Sequence, residues 1–493
     1  MFQEGITVTN NHLIGGQWIA AQTLAIGEAV DQAAQSAEAA FDSFANTPAA
    51  QRASFLRAVA EEIDARGDLI TEAGVRETAL PEARLVGERG RTTGQLRMFA
   101  DHIEDGTYLD RRYDEALPDR QPMARPSLRL MQRPIGPVAV FGASNFPLAF
   151  STAGGDTASA WAAGCPVVVK AHPAHPETGV IVAKAIQAAI ERCGLHSGVF
   201  SFVQGDGVEP GQLLVQHPLI KAVGFTGSLG GGRALFDLCA SRPEPIPFFG
   251  ELGSVNPVFV SDTTLKARGN ELAEQWCQSL TMGVGQFCTN PGIVVLQAGE
   301  EAEAFIEVAT KALSNSPSQT MLTDGIAAAY HKGSSELSSA EGTQTLLEAA
   351  GEGRTVTPAL LRTSAQNWLS SKALGEEVFG PLGLVVVAEG SDEVLAIARA
   401  LEGQLTCTLQ IEQSDKDFAK SLLPILERKA GRILVNGFPT GVEVADAMVH
   451  GGPYPASTNF GATSVGSMAI RRFLRPVCYQ NVDEELMPEG WLS

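Results

Sequence analysis

Hydrophobic positions in the N-terminal part of the chain follow a helical period. Between residues 28 and 66, apolar side chains recur every three or four positions, as at Phe41 and Phe44, which predicts amphipathic helices. Pro48 is expected to open the second of these helices, because proline is tolerated in a first helical turn. A further helix is expected over Arg84–His102.

After about residue 133 the pattern changes to short apolar runs that alternate with helical segments. The first runs are Val138–Phe141, Val167–Val169, Val199–Val203, Ala222–Phe225 and Pro257–Val260. The later runs are Ile293–Leu296, Leu384–Val387, Cys407–Ile411 and Ile433–Val435. Such alternation predicts parallel sheets with crossover helices, and the later runs indicate a second α/β unit. Two segments rich in Pro and Arg, 108–132 and 470–490, lie outside both units.

Composition narrows the possible partners and the cellular setting. The 493 residues are 44% hydrophobic and carry a net charge of −20, so nucleic acid is not an expected partner. No apolar run approaches the roughly 20 residues of a spanning helix, and Met1–Gly15 does not have the pattern of a secretory signal. The seven cysteines are odd in number and lack zinc-site spacing. We therefore expect a cytoplasmic protein with no membrane association and no metal.

Cys288 lies in the segment Gly-Gln-Phe-Cys-Thr-Asn-Pro-Gly, in which glycines allow a tight backbone approach and Pro291 stiffens the exit. A thiol on such a loop can meet a substrate. A buried, unreactive cysteine is the alternative and is the commoner fate of a free thiol.

Three other segments contain side chains suited to catalysis or anion binding. Glu251 stands between Gly250 and Gly253 and could act as a base, or it could be a solvated turn residue. The glycine-rich segment at Gly227 and Ser228 follows a predicted strand and could accept a phosphate at a helix N-terminus. Asn145 could donate to an oxyanion or could only form a turn.

Together, in this order, these segments resemble the aldehyde dehydrogenase superfamily over nearly the whole chain. The motifs are Asn145-Phe146-Pro147, Lys170 at a strand end, Gly227-Ser228, Glu251-Leu252-Gly253, Gly285-Gln286 before Cys288, and Glu376 to Pro381. The resemblance implies that Cys288 attacks an aldehyde, that the Asn145 amide and the Cys288 backbone N–H stabilise the oxyanion, and that Glu251 activates the water that hydrolyses a thioester.

The resemblance also implies a nicotinamide cofactor. Lys170 and Glu377 would hold its riboses, Gly227 and Ser228 its pyrophosphate, and Phe379 and Gly253 its nicotinamide end. Many NAD-preferring relatives have a glutamate three residues after the lysine, where this chain has Pro173. Without that carboxylate to repel a 2′-phosphate, NADP is slightly favoured over NAD. Ser144 is a second departure, since many members have tryptophan before the catalytic asparagine.

The Cys288 segment and the stretches 170–176 and 450–455 resemble the α-ketoglutaric semialdehyde (2,5-dioxovalerate) dehydrogenases. Such a substrate carries a carboxylate that needs a basic partner, and Arg91 or Arg97 is expected to provide it, although either could be an exposed helix residue. The other expected substrate contacts are Phe146, Phe150, Phe287 and His450.

A relative that passes the acyl group to phosphate or CoA is also possible, but Glu251 indicates water as the acceptor. Two other functions remain open. One is a broad-specificity or long-chain (fatty) aldehyde dehydrogenase that uses NADP, since those enzymes share much of the pattern. The other is a non-catalytic structural relative, against which the retention of Cys288, Glu251 and Asn145 argues.

The resemblance implies an α/β fold with two Rossmann-like parallel-sheet domains and a small β bridging element. The expected parts are a cofactor-binding domain (1–107, 133–252 and 440–469), a catalytic domain (253–439) and an oligomerisation element (108–132 and 470–493). The last would pair with another subunit in a homodimer or homotetramer.

Overall fold

The computed structural model describes residues 11–488 and 490–491. The start and the extreme end of the expected domains, residues 1–10 and 492–493, lie outside the described residues, as does most of the segment considered for a secretory signal. None of the described helices combines the length and apolar character needed to cross a bilayer.

Helices occur throughout the chain. In chain order they are α1 (Ile26–Ala45), α2 (Ala49–Ala65), α3 (Gly67–Thr78), α4 (Glu82–Asp105), α5 (Gly155–Ala163), α6 (Pro176–Cys193), α7 (Glu209–Gln216), α8 (Leu229–Ala240), α9 (Asp262–Thr281), α10 (Glu300–Ser314), α11 (Asp324–Ser338), α12 (Ala365–Ser370), α13 (Ser391–Ala400) and α14 (Lys416–Leu426). The helices expected within 28–66 and 84–102 are confirmed as α1, α2 and α4, and Pro48 directly precedes α2.

Strands build the sheets between these helices. They are β1 (Asn11–Ile14), β2 (Gln17–Ala20), β3 (Arg112–Asp114), β4 (Leu128–Pro134), β5 (Val138–Phe141), β6 (Val167–Lys170), β7 (Phe200–Val203), β8 (Ala222–Thr226), β9 (Phe248–Glu251), β10 (Val258–Val260), β11 (Ile293–Gln297), β12 (Gln319–Thr320), β13 (Gln344–Leu347), β14 (Thr355–Val356), β15 (Ala359–Ser364), β16 (Leu382–Ala388), β17 (Gln404–Gln410), β18 (Ala430–Val435) and β19 (Leu474–Gln480).

The first sheet has seven strands in the order β2-β1-β7-β6-β5-β8-β9. Its central strands are parallel and fully buried, as their continuous valine runs predict. Helix α2 packs against α5 and α6 over one face, and Phe55 of α2 meets Trp161 of α5 edge to face with ring centroids 5.1 Å apart. Because the strands are parallel, the carboxyl ends of β5, β6, β8 and β9 share one edge.

The second sheet has seven strands in the order β13-β15-β16-β11-β10-β17-β18. Its strands from β15 to β18 are parallel, and the loops that lead into β10, β11 and β16 therefore meet at one edge. The α/β fold class is confirmed, but neither sheet is purely parallel, since β1 and β13 pair antiparallel with their neighbours.

A separate three-stranded antiparallel sheet, β19-β4-β3, stands apart from both larger sheets. The first large sheet draws its strands from residues 11–251 and the second from residues 258–435. The small sheet combines residues 112–134 with 474–480. The chain thus forms two α/β units and one β element.

Candidate active site

The candidate site lies between opposite ends of the two large sheets. Glu251 is the last residue of β9 and Lys170 the last of β6, both at the carboxyl edge of the first sheet. Cys288 precedes β11 and Glu377 precedes β16, so both belong to loops at the amino edge of the second sheet. The two edges face each other, which places residues distant in sequence around one cleft.

Three side chains from separate segments converge at the centre of the cleft. The His450 Nε2 atom lies 3.4 Å from Cys288 Sγ and 2.8 Å from Glu251 Oε1. His450 and Glu251 are buried, with relative exposures of 1% and 4%, whereas Cys288 is partly exposed. Ser464 Oγ donates a 2.6 Å hydrogen bond to Glu251 Oε2. His450 therefore bridges the thiol and the carboxylate, and Ser464 fixes the far side of that carboxylate.

The electrostatics of this group favour a neutral thiol beside a charged carboxylate. Burial raises the pKa of Cys288 well above its ordinary value, and the negative charge of Glu251 adds to the rise. Burial would also raise the pKa of Glu251, but the charge of His450 and the hydrogen bonds of its neighbours outweigh burial and lower it. The thiol must therefore give its proton to a neighbour before it can act as a nucleophile.

Buried amide groups hold the Cys288 loop from behind. Asn256, fully buried and in the left-handed region with φ +48°, donates from Nδ2 to the backbone oxygens of Cys288 at 2.9 Å and Asn290 at 3.0 Å. Gln404 Oε1 in turn accepts from the backbone N–H of Val255 and of Asn256. Both amides bond across long sequence separations, so the loop geometry depends on the packed second domain.

A single buried carboxylate holds the Asn145 turn. Glu88, on α4, accepts hydrogen bonds at Oε1 from the backbone N–H groups of Leu148 and Ala149, each at 2.9 Å. Asn145 is buried and donates from Nδ2 to the Gln286 carbonyl at 3.0 Å. The turn and the Cys288 loop are thereby in direct contact across the two α/β units.

A cavity of about 280 Å³ opens onto Cys288. Phe146, Phe150 and Phe287 line it, and Phe146 packs edge to face against both of the others, with centroids 5.2 and 5.5 Å apart. Arg91 also lines the cavity, and its Nε and Nη2 atoms are buried without a hydrogen-bond partner among the described residues. The cavity is thus a largely apolar channel whose wall also contains the ionisable side chains of Arg84, Glu88 and Arg91.

Arg97 lies elsewhere, contrary to its expected role in binding substrate. Its guanidinium pairs with Asp64 at 2.7 Å, and its side chain is 44% exposed. Arg97 follows Arg91 by six residues on α4. At 100° per residue it therefore lies about 240° further around the helix axis, away from the cavity. Arg84, seven positions before Arg91, lies on the same face as Arg91 and stacks over Phe146, with 4.4 Å between its guanidinium carbon and the ring centroid.

The residues expected at the cofactor surround the other side of the cleft. Lys170 is buried, and burial lowers its pKa. Ser228 caps α8, where its Oγ accepts from the Gly231 N–H at 3.3 Å. A Cβ at Gly253 would stand 2.5 Å from Glu377 Oε2, so a larger residue here would displace the end of the Glu377 side chain. Gly227 joins β8 to the cap, and Phe379 lines a small cavity together with Glu377.

Sequence reasoning missed the supporting residues Arg84, Glu88, Asn256, Gln404 and Ser464. Arg84 could have been found from its seven-residue spacing to Arg91, which repeats one helix face. The sequence offers no comparable signal for the others, because their importance arises from contacts between distant segments. The sequence also offered no metal spacing, yet a sulfur, a nitrogen and an oxygen of Cys288, His450 and Glu251 lie within 4.8 Å of one another.

Comparison with known proteins identifies close relatives. The chain is 53% identical to alpha-ketoglutaric semialdehyde dehydrogenase 2 of Azospirillum brasilense, over 94% of this chain and 88% of that protein. It is 48% identical to alpha-ketoglutaric semialdehyde dehydrogenase of Acinetobacter baylyi, over 93% of this chain and 88% of that protein.

Solved structures match the fold at lower identity. A betaine aldehyde dehydrogenase from Staphylococcus aureus superposes with a TM-score of 0.81 at 18% identity, covering 99% of this chain and 98% of that one. NADP-dependent glyceraldehyde-3-phosphate dehydrogenase from Bacillus halodurans gives 0.79 at 20% identity, covering 96% and 99%. The aldehyde dehydrogenase family model matches residues 3–475. On this evidence, the chain belongs to the aldehyde dehydrogenase family.

Proposed function

We propose that this protein oxidises 2-oxoglutarate semialdehyde (2,5-dioxopentanoate) to 2-oxoglutarate, with NADP or NAD as the oxidant. The observation that carries the proposal is that Cys288 and Arg91 line the same cavity. Arg91 has two N–H donor groups, at Nε and Nη2, that have no partner among the described residues. The thiol suits an aldehyde, and the guanidinium suits a carboxylate on the same small molecule. The names of the relatives from Azospirillum brasilense and Acinetobacter baylyi support the same substrate.

Covalent catalysis at Cys288 accounts for the aldehyde half of the reaction. His450 Nε2, 3.4 Å from Cys288 Sγ, is positioned to accept the thiol proton, which leaves a thiolate to attack the carbonyl carbon, and the carboxylate of Glu251, 2.8 Å from the same nitrogen, stabilises the resulting imidazolium. Asn145 has two amide N–H groups, one of which is used on Gln286, and the other stabilises the oxyanion. Glu251 later takes a proton from the water that cleaves the thioester.

A nicotinamide cofactor would supply the acceptor for the hydride that leaves the aldehyde carbon. Lys170 and Glu377 would hold its riboses, and Ser228 with Gly227 would receive its pyrophosphate at the N-terminus of α8. The close approach of Glu377 to Gly253 fits this arrangement, because it keeps side-chain bulk out of the cleft. Pro173 stands where a carboxylate would oppose a 2′-phosphate, which favours NADP.

Arg91 and Arg84 would anchor the substrate carboxylate. Arg91 Nη1 is already held by the Val442 carbonyl, which fixes the guanidinium while Nε and Nη2 stay available. Arg84 also lines the cavity, and its Nη2 atom lies 3.5 Å from Glu88 Oε2. The Arg84 side chain is 24% exposed. A carboxylate between the two arginines would gain charge-assisted hydrogen bonds.

A second candidate is the oxidation of long-chain or varied aldehydes with NADP. The three phenylalanines that line the cavity favour it, since an alkyl chain would pack well among them. The two functions differ in which groups bind the end of the substrate far from the aldehyde. Arg91 would bind a carboxylate there, whereas an alkyl chain would not need it, so the effect of an Arg91 substitution distinguishes the two functions.

The test compares the semialdehyde with hexanal, each with NAD and with NADP. We expect the wild type to prefer the semialdehyde and to use NADP at least as well as NAD. Arg91→Ala should lower kcat/KM for the semialdehyde by about 10- to 150-fold, the value of charge-assisted hydrogen bonds worth about 1.5–3 kcal/mol. Arg97→Ala, on the same helix, is the matched control. A preference for hexanal that Arg91→Ala leaves unchanged would contradict the proposal.

The assembly and location follow as further parts of the proposal. The outer edge of β19 has no strand beside it among the described residues, and such an edge can pair with a second subunit in a homodimer or homotetramer. A free thiol at Cys288 fits a reducing, cytoplasmic compartment. Analytical ultracentrifugation would determine the number of subunits.

A further inference from the structure

We propose that Cys288, His450 and Glu251 form a Zn²⁺ site that blocks the thiol, so that zinc inhibits this enzyme reversibly. The inference goes beyond the oxidation proposed above, although the same thiol serves both. It rests on the type, distance and accessibility of three side-chain atoms.

The three ligand types are those of open zinc sites. Thiolate, imidazole and carboxylate all bind Zn²⁺, and sites with three protein ligands leave a fourth position for water or another ligand. The charge of a thiolate and a carboxylate together balances that of the ion. Zinc binding would release the proton of the Cys288 thiol to solvent, and no oxidation or reduction is involved.

The distances require little rearrangement. Zinc bonds of about 2.0–2.3 Å at tetrahedral angles separate ligand atoms by about 3.3–3.6 Å. Here Cys288 Sγ and His450 Nε2 are 3.4 Å apart, and His450 Nε2 and Glu251 Oε1 are 2.8 Å apart. All three atoms lie within 4.8 Å of one another. Small side-chain rotations would therefore complete the site.

The surroundings admit the ion and support its ligands. Cys288 faces the 280 Å³ cavity, so the ion can enter and the fourth position can hold water there. Ser464 already binds the outer oxygen of Glu251, as groups behind metal ligands do. Positive charge on Arg91 and Arg432 also acts on Cys288 and opposes the ion. Arg91 is the nearer of these to the cavity, so Arg91→Ala should tighten zinc binding.

The experiment titrates the cofactor-free protein with Co²⁺ and follows the thiolate-to-cobalt charge-transfer band. It uses a Cys478→Ser background, because Cys478 is an exposed thiol that would add its own signal. We expect one Co²⁺ per chain, displaced by Zn²⁺ and removed by EDTA. Aldehyde oxidation should fall with the same zinc dependence and recover with EDTA.

Variants assign the ligands. Cys288→Ser should abolish the band, and His450→Asn and the isosteric Glu251→Gln should each weaken binding by more than about 100-fold, since even groups behind the ligands contribute about 10- to 100-fold. Ser464→Ala should weaken metal binding by about 10- to 100-fold. Arg97→Ala should bind the metal with wild-type affinity. Circular dichroism checks that each variant is folded.

Two results would overturn the proposal: the absence of the band in the wild type, or wild-type affinity in folded His450→Asn and Glu251→Gln. The titration needs no aldehyde, so it can fail while semialdehyde oxidation stands. Equally, a protein that does not use the semialdehyde could still bind zinc.

Discussion

The Cys288 loop and the Asn145 turn meet from different α/β units, yet different chemistry holds them. Neutral amides of Asn256 and Gln404 hold the Cys288 loop, whereas the carboxylate of Glu88 holds the turn. Amides supply hydrogen bonds without adding negative charge behind a thiol whose pKa Glu251 already raises. The carboxylate lies beside Arg84 and close enough to influence the charge of Arg91. The amides thus avoid adding negative charge near the Cys288 thiol, and the Glu88 carboxylate lies near two arginines.

The largest effect is expected when the neutral support is given a charge. Asn256→Asp keeps the side-chain shape but turns a carboxylate oxygen toward the carbonyls of Cys288 and Asn290, which destabilises a buried site by about 3–5 kcal/mol. A misplaced loop should also lower kcat by about 100-fold. Urea denaturation and steady-state kinetics measure the two effects.

The control for that variant is Asn315→Asp, an exposed asparagine at the end of α10. It introduces the same charge on the surface, where the loss of an exposed bond from Asn315 Nδ2 to the Lys311 carbonyl and the charge at a helix C-terminus should cost at most about 1 kcal/mol, and it should leave kcat unchanged. If Asn256→Asp behaves like Asn315→Asp, the amide network does not position the thiol.

Removal of the charged support should have the next largest effect. Glu88→Ala leaves the N–H groups of Leu148 and Ala149 without their acceptor, at about 1–3 kcal/mol for each. Because the variant also removes a carboxyl group that is unfavourably buried, we expect the net fall in the free energy of unfolding to be about 2–4 kcal/mol, below the full sum of these costs, and kcat to fall less than in Asn256→Asp. Glu88→Gln keeps an acceptor oxygen and should restore most of the stability. If Glu88→Gln lowers the free energy of unfolding as much as Glu88→Ala does, then the charge of Glu88, and not its hydrogen bonds, holds the turn.

The strands and loops around the site show what can be predicted from a single sequence. The buried strands at 138–141 and 222–226 were predicted to within one residue, because their continuous apolar runs depend only on local composition. Strand β9 was missed, since Phe-Phe-Gly-Glu gives neither a long run nor an alternation. Glycine-flanked Glu251 and Cys288 stood out locally. Asn256 did not, because its significance comes from atoms of Cys288, 32 residues away in sequence.

A pH titration should sharpen the contrast between the ionisable support at Glu88 and the amide support at Asn256. Burial raises the pKa of Glu88 above its ordinary value of 4.5, so the folded protein retains this proton after the unfolded chain has lost it. Stability from this group is then complete below pH 4.5 and declines as the pH rises through the folded-state pKa, by at most about 1.4 kcal/mol per pH unit. Glu88→Gln should remove that slope from the free energy of unfolding, and equal slopes in the two proteins would contradict a raised pKa for Glu88.

The smallest effect tests one hydrogen bond within the neutral network. Thr406 Oγ1 donates to Asn256 Oδ1 at 3.0 Å, and Asn256 Oδ1 also accepts from Ser254, so Thr406→Val should cost only about 1 kcal/mol and leave kcat unchanged. Thr408 lies two residues further along β17 on the same face, where its buried hydroxyl has no partner among the described residues. Thr408→Val should therefore be neutral or stabilising, since it removes an unsatisfied polar group. Equal destabilisation by both changes in urea denaturation would mean that valine packing, and not the bond to Asn256, determines the result.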